Sequence, residues 1–267
     1  MSDKKLDSNK EIEDLFSAGV HFGYSKRRWD PRVSPFVYCF KNKRAVIDLE
    51  KTAKAIQEAE SFIAGIVSSG GQVLWVGNKP EAREAIVQAA GYTDMPYVAL
   101  RWIGGTFTNF LQIKERIDKL FDIKEKEATG ELSKYTKKER LSISKDKIDL
   151  ERYYGGLGNM KSLPQAVVIV DPAEEHVAVA EALKKNIPIV AIANTDCNTK
   201  PIDYPIIAND NQKSSIKLII DRLAEACIAG KSSQYEAPEI ENGTDEEGKN
   251  KDQENRHEAR VQAGLVK

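Results

Sequence analysis

The sequence predicts an α/β protein: a parallel sheet flanked by helices, with an antiparallel α-helical coiled-coil hairpin inserted into it. Three observations carry this. Short apolar runs recur without polar alternation, the pattern of strands covered on both faces. Each run leads into a turn and then into helical spacing, so strand, turn and helix repeat as a unit. One stretch between these units, residues 110–152, is too densely charged to be sheet.

In chain order, Ala53, Ile56, Ala59, Ile63 and Ile66 recur at helical spacing within residues 49–67, and Gly70-Gly71 supplies the stop. Residues 73–76 form a first strand ending at Gly77, and Pro80 opens a helix that reaches Gly91. Residues 97–100 are the second strand candidate and 166–170 the third. Asp171-Pro172-Ala173-Glu174 then reads as a capped helix start with proline in its first position. Residues 189–193 and 204–208 add two strands. The last helix carries Ile216, Ile219, Ile220, Leu223 and Cys227 on one face and is expected to end at Gly230.

The charged stretch holds 22 Asp, Glu, Lys and Arg residues between Lys114 and Arg152, so only a narrow apolar seam can be buried there. Phe110, Ile113, Ile117 and Leu120 supply it, and Gly130 breaks it. Thr136-Lys137-Lys138-Glu139 is a capping box for a second helix carrying Leu141 and Ile148. The expected organisation is a discontinuous α/β core at 1–109 and 153–230, an inserted hairpin at 110–152, and an acidic tail at 231–267. Past Gly230 the chain has one aromatic, Tyr235, and few aliphatics before Val261. Burial there cannot offset ordering entropy, so the tail is expected to be disordered.

Bulk properties narrow the function. With 267 residues and 41% hydrophobic content the chain can bury a substantial core, which excludes disorder throughout. No apolar run approaches the roughly 20 residues of a membrane span, and the opening MSDKKLDSNKEIEDLF has no apolar leader segment, so a soluble, unprocessed chain is expected. Cys39, Cys197 and Cys227 are widely separated and lack CxxC spacing, which suits a reducing compartment and predicts neither a disulfide framework nor a metal site. The net charge of −1 hides a strong asymmetry. Residues 26–44 carry seven Lys and Arg against one acid, Asp30, whereas residues 236–258 carry nine acids against three bases.

The basic cluster is the strongest candidate for function. Lys26, Arg27, Arg28 and Arg32 surround Trp29, while Lys41, Asn42, Lys43 and Arg44 form a turn between two apolar runs. Cations grouped this way with almost no acids predict phosphate neutralisation and hence a nucleic-acid partner. At Gly77-Asn78-Lys79-Pro80, with Arg83 one turn on, a strand meets a helix start. This reads either as an anion site or as an ordinary helix entry, since it lacks the glycine pattern of a dinucleotide or P-loop fingerprint. The segment Arg101-Trp102-Ile103-Gly104-Gly105-Thr106-Phe107-Thr108-Asn109-Phe110 reads either as an RNA contact using stacking and small hydroxyls or as a tight turn over core aromatics. Asp171, Asp196 and Asp210 each follow a strand end, where α/β enzymes place catalytic groups. Without a matched base or nucleophile they read as caps and turn residues; His21, His176 and His257 belong to no catalytic pattern. A sugar-phosphate or nucleotide-binding α/β enzyme is the alternative that the strand ends leave open.

An ordered series of motifs resembles the ribosomal small-subunit protein S-two family, in its bacterial or organellar form. The series is Ala18-Gly19-Val20-His21-Phe22-Gly23, Trp29 with Pro31, Ile47-Asp48-Leu49 leading into Lys51-Thr52, Arg101 to Gly105 with Thr108-Asn109-Phe110, Gly155-Gly156, Leu163-Pro164 and Asn209-Asp210. It covers about residues 11–234. The resemblance implies a flavodoxin-like core with an inserted coiled-coil hairpin, docked on small-subunit rRNA between head and body. It implies no cofactor, no reaction chemistry, no membrane and no homo-oligomer. The implied partners are rRNA, neighbouring small-subunit proteins and ribosomal protein S-one, which captures mRNA; the implied place is the cytoplasmic small subunit. Tyr24 and Asn211 stand where members usually have His and often a second acid.

Overall fold

The computed structural model describes residues 2–235. Most of the expected acidic tail lies outside the described residues. The chain opens with α1 (Ser2–Ser17), which the sequence reading did not anticipate, and then β1 (Phe22–Ser25), β2 (Val37–Lys41) and β3 (Arg44–Ile47). These strands form an antiparallel sheet in the order β1-β3-β2. The two apolar runs on either side of the basic turn are β2 and β3, whereas β1 is not anticipated by the sequence. In β3, Ala45 and Ile47 are buried and Arg44 is exposed, an alternation only four residues long and too short to register as a period.

α2 (Leu49–Ser68) follows, capped by Asp48, whose carboxylate accepts the Glu50 and Lys51 N–H groups at 3.2 and 3.5 Å. β4 (Val73–Val76), α3 (Pro80–Thr93) and β5 (Tyr97–Val98) come next, then α4 (Phe110–Ala128) and α5 (Lys137–Tyr154). The chain continues through β6 (Ala166–Val170), α6 (His176–Lys184), β7 (Ile189–Ala193), β8 (Tyr204–Ile207) and α7 (Lys213–Tyr235). The main sheet has the order β5-β4-β6-β7-β8 and every pairing is parallel. An α/β core with this strand order and helices on both sides fits a flavodoxin-like fold.

Alternate residues of each strand feed opposite faces. Val73, Trp75, Val168, Val170, Val190 and Ile192 pack with α2, α3 and α7. Leu74, Val76, Val167, Ile169, Ile189 and Ala191 pack with α6, the base of α4, and Val33 and Ile47 of the N-terminal region. Both faces are apolar, which is why the runs showed no alternation.

Four local expectations need correction. β5 is two residues long rather than four; Gly156 packs directly on the Tyr97 carbonyl, so the loop after α5 covers this edge strand early. α6 begins at His176, not at Pro172. Asp171 sits at φ +58, outside the extended geometry of a helix cap, and its Oδ1 accepts the Ala173 and Glu174 N–H groups of a turn instead. α7 runs through Gly230 to Tyr235. A side chain at Gly230 would meet the Ala64 carbonyl at 2.7 Å, so this glycine serves the close packing of α7 on α2 rather than a helix stop.

The fourth concerns the charged pair of helices. The capping box is present, with Thr136 Oγ1 accepting Glu139 N–H and the Glu139 carboxylate accepting Thr136 N–H. The seam joins Leu120 and Ile123 of α4 to Leu150 of α5, with Ile143 and Tyr154 alongside. Leu141 and Ile148, expected to be the apolar residues of α5, are exposed. They lie two residues from Ile143 and Leu150, roughly 200° around the helix, and therefore face away. Lys119–Asp146 at 3.1 Å and Lys124–Glu151 at 2.8 Å bridge the two helices.

Candidate nucleic-acid interface

The N-terminal antiparallel sheet gathers the basic cluster. The β2–β3 turn is made by Asn42 and Lys43 at φ +49 and +64, a two-residue reversal that holds Lys41 and Arg44 as direct cross-strand partners. The Lys26 N–H donates to the Lys43 carbonyl at 2.9 Å, and Ser25 pairs with Arg44, so the loop after β1 lies against that turn. Lys26 is thus brought against Lys41, Asn42, Lys43 and Arg44, and these residues together with Arg27, Arg28 and Arg32 are all exposed. Trp29 is half-buried beneath them, edge-on to Phe40 with ring centroids 5.6 Å apart, and Lys26 Nζ lies 5.4 Å from the Phe40 ring.

Counter-charges are few. Arg28 pairs with Asp196 at 3.1 Å and lies 4.3 Å over the Tyr24 ring, yet its side chain stays 63% exposed. Arg32 reaches Asp30 at 3.6 Å. Among the described residues the side chains of Arg27, Lys41, Lys43 and Arg44 have no ion pair. An exposed cation without a protein partner keeps its full attraction for a phosphate.

Lys79 differs. Its ammonium contacts Asp171 at 2.5 Å and Asp210 at 2.6 Å, and its side chain is only 12% exposed. Burial alone would lower its pKa, but the hydrogen bonds it donates to Asp171 and Asp210 outweigh that and raise it above the ordinary lysine value. Burial pushes Asp210 up despite the hydrogen bonds from Lys79 and Asn194, which taken by itself would favour a neutral acid. With two carboxylates on one ammonium at such distances, the ionised cluster is the state the geometry supports. Asn194 Nδ2 donates to Asp210 at 2.6 Å and Tyr24 Oη to Asn211 at 3.0 Å, extending the network toward the small sheet. Arg83 is half-buried, with Nε donating to the Asn78 carbonyl at 3.1 Å.

The segment after β5 is a supported loop. Arg101, Gly104 and Asn109 are exposed, Gly105 is partly covered at φ +98, and Trp102 and Thr106 are buried. Its organiser is Glu181 of α6, which the sequence reading missed. One carboxylate oxygen accepts Gly105 N–H at 2.7 Å and Trp102 Nε1 at 3.3 Å; the other accepts Phe107 N–H at 2.9 Å, Thr108 N–H at 3.1 Å and Thr108 Oγ1 at 3.2 Å. Burial would raise its pKa, but these donors win and hold it below the ordinary glutamate value. The signal was present: Glu181 shares the buried face of α6 with Ala178 and Ala182, and an acid on an apolar stripe needs donors.

Glu175 is the opposite case, buried where, among the described residues, Asn78 N–H is the one donor to its carboxylate, at 3.3 Å. Burial, with Glu174 and Asp171 nearby, pushes its carboxyl up to about 7. The three strand-end aspartates are accounted for by Lys79, the turn at 173–174, Asn194 and Arg28. No helix among the described residues is long and apolar enough to cross a membrane.

The geometry therefore offers an exposed cationic sheet edge beside a strand-end region whose charges pair internally. The family model for Ribosomal protein S2 matches residues 15–230, most of the described chain. The motif series, the α/β core and this match agree: the chain belongs to the ribosomal protein S2 family, a family of small-subunit ribosomal proteins.

Proposed function

We propose that the chain is a structural constituent of the small ribosomal subunit that binds rRNA near the head–body junction and helps recruit ribosomal protein S-one. The observation that carries the rRNA contact is the exposed basic surface from Lys26 to Arg44, whose cations are largely free of protein counter-charge. Arg101, Gly104 and Asn109 add an exposed second contact, with Trp102, Gly105, Thr106 and Thr108 acting beneath them through the loop that Glu181 holds. Lys79 and Arg83 act from behind the surface, positioning the strand-end loops. The α4–α5 pair serves as an inserted coiled-coil hairpin and as a further docking surface.

The reading that no reaction is catalysed is supported by how the strand-end groups are used. Asp171 and Asp210, placed where an α/β enzyme would hold a phosphate or a catalytic base, are spent on Lys79. The test is sedimentation of lysate from cells expressing the tagged chain, on a sucrose gradient at moderate salt. Near-stoichiometric comigration with the small-subunit peak is expected. A tag confined to the top of the gradient, with normal endogenous assembly, would overturn the reading.

A further inference from the structure

Between the small sheet and the carboxyl ends of β7 and β8 lies a cavity of about 760 Å³ that the basic turn alone does not explain. That volume is within the roughly 300–1,000 Å³ of small-molecule sites and exceeds what a lone phosphate needs. Its walls include the rings of Phe22 and Tyr24, the cations Arg28, Arg44 and Lys213, and the amides of Asn194, Asn209, Asn211 and Gln212. No carboxylate is among its lining residues.

We propose that this cavity receives one unpaired nucleotide of the bound RNA, its base stacked on Phe22 and its phosphate held by Arg44 and Lys213. The inference rests on the rRNA-binding reading and adds to it a contact of a different physical kind. Phe22 is 48% exposed although it is a large aromatic in a strand. One side is met by His21, with centroids 4.0 Å apart and the rings tilted by 40°, and His21 is itself stacked on Phe16 at 4.4 Å. A base can lie on the exposed Phe22 ring, because every nucleobase has a π face.

The amide wall is fixed in advance. Asn209 Nδ2 donates to the Gly19 carbonyl at 3.1 Å and to Gln212 Oε1 at 3.3 Å, while Asn209 Oδ1 accepts Asn211 N–H at 3.1 Å. Asn211 Oδ1 is taken by Tyr24 and Lys79. What remains are donors: Asn211 Nδ2 and Gln212 Nε2 donate to nothing among the described residues. Free amide donors suit the carbonyl and ring-nitrogen acceptors of a base edge, and a fixed wall lowers the ordering cost of binding. The start of α7 at Lys213 shares this wall and favours the phosphate end. An apolar ligand would strand these donors and cations, which argues for a nucleotide.

The test measures affinity of the full chain for naked small-subunit rRNA across a salt series, with thermal unfolding of each variant as a check. Phe22→Leu keeps an apolar side chain against His21 but has no π face. It should weaken binding about tenfold with the melting temperature and salt slope unchanged, and Phe22→Tyr should restore most of the affinity. Wild-type affinity in Phe22→Leu, with the wild-type chain itself binding rRNA, overturns the pocket and leaves the rRNA reading standing. A loss that Phe22→Tyr fails to restore, or one accompanied by a flattened slope, also overturns it. Failure of the wild-type chain to bind rRNA overturns both.

Discussion

The basic turn and the Lys79 cluster use the same cationic side-chain chemistry in opposite ways. At Lys41, Lys43 and Arg44 the charges are exposed and have no carboxylate partner among the described residues. At Lys79 the charge is nearly buried and shared between Asp171 and Asp210. The first arrangement costs the fold little and leaves attraction for a partner; the second spends its attraction inside the protein, where losing one member leaves a buried charge unpaired. A cation near a helix start is therefore a weak guide to a phosphate site until its counter-charges are known.

The contrast is broken most severely by Lys79→Met. Asp171 and Asp210 would then face each other in a poorly solvated site, and removing one partner of a buried pair typically costs about 3–5 kcal/mol. Urea unfolding should show a midpoint lowered accordingly. A change below about 1 kcal/mol would mean that water already screens the cluster and that the two regions differ less than their exposures indicate.

Glu175→Gln tests the same region with the opposite sign. A carboxyl raised to about 7 in the fold, against 4.5 unfolded, binds its proton more tightly when folded. Unfolding then releases a proton between those values, so stability present at low pH is lost as pH rises through that window. The amide removes this penalty and retains an acceptor for Asn78 N–H. The variant should match wild type at pH 4 and exceed it by up to about 3 kcal/mol at pH 8. A pH-independent difference would assign the effect to packing instead of charge.

What the sequence could disclose follows the same division. β4, β6 and β7 were legible because burial on both faces writes an unbroken apolar run, and α2 because its stripe spans five turns. The exposed cations were legible because an acid-poor stretch of charge needs no partner to be noticed. β1 and β3 were not, since four residues leave too few positions for a period, and β2 showed only as an apolar run because Tyr38 to Lys41 are exposed on both faces. The Lys79 cluster was not either: its members are separated by 92 and then 39 residues, and only the parallel order of β4, β6 and β8 brings their ends together. Each aspartate was visible singly at a strand end, whereas their shared lysine was a property of topology. Glu181 lies between, visible as an acid on an apolar helix face and unexplained until the 102–108 loop is seen above it.

The remaining prediction sharpens the other side of the comparison. Replacing Arg27, Arg28 and Arg44 together with Ala removes charge that the fold scarcely uses, since Arg28 alone has a carboxylate partner and that pair is largely solvent-exposed on the arginine side. Thermal unfolding should move little, within the range of an exposed ion pair. Binding to small-subunit rRNA should weaken on the order of tenfold at moderate salt. The slope of log affinity against log salt should shrink by about 2–3, because each phosphate that the protein neutralises releases roughly 0.7–0.9 of a counterion. The slope is the decisive reading: weaker binding could follow from any local distortion of the β2–β3 turn, but only phosphates left without their arginines flatten the salt dependence in proportion to the charges removed. An unchanged slope would place the RNA contact away from residues 26–44 and leave that surface for another partner.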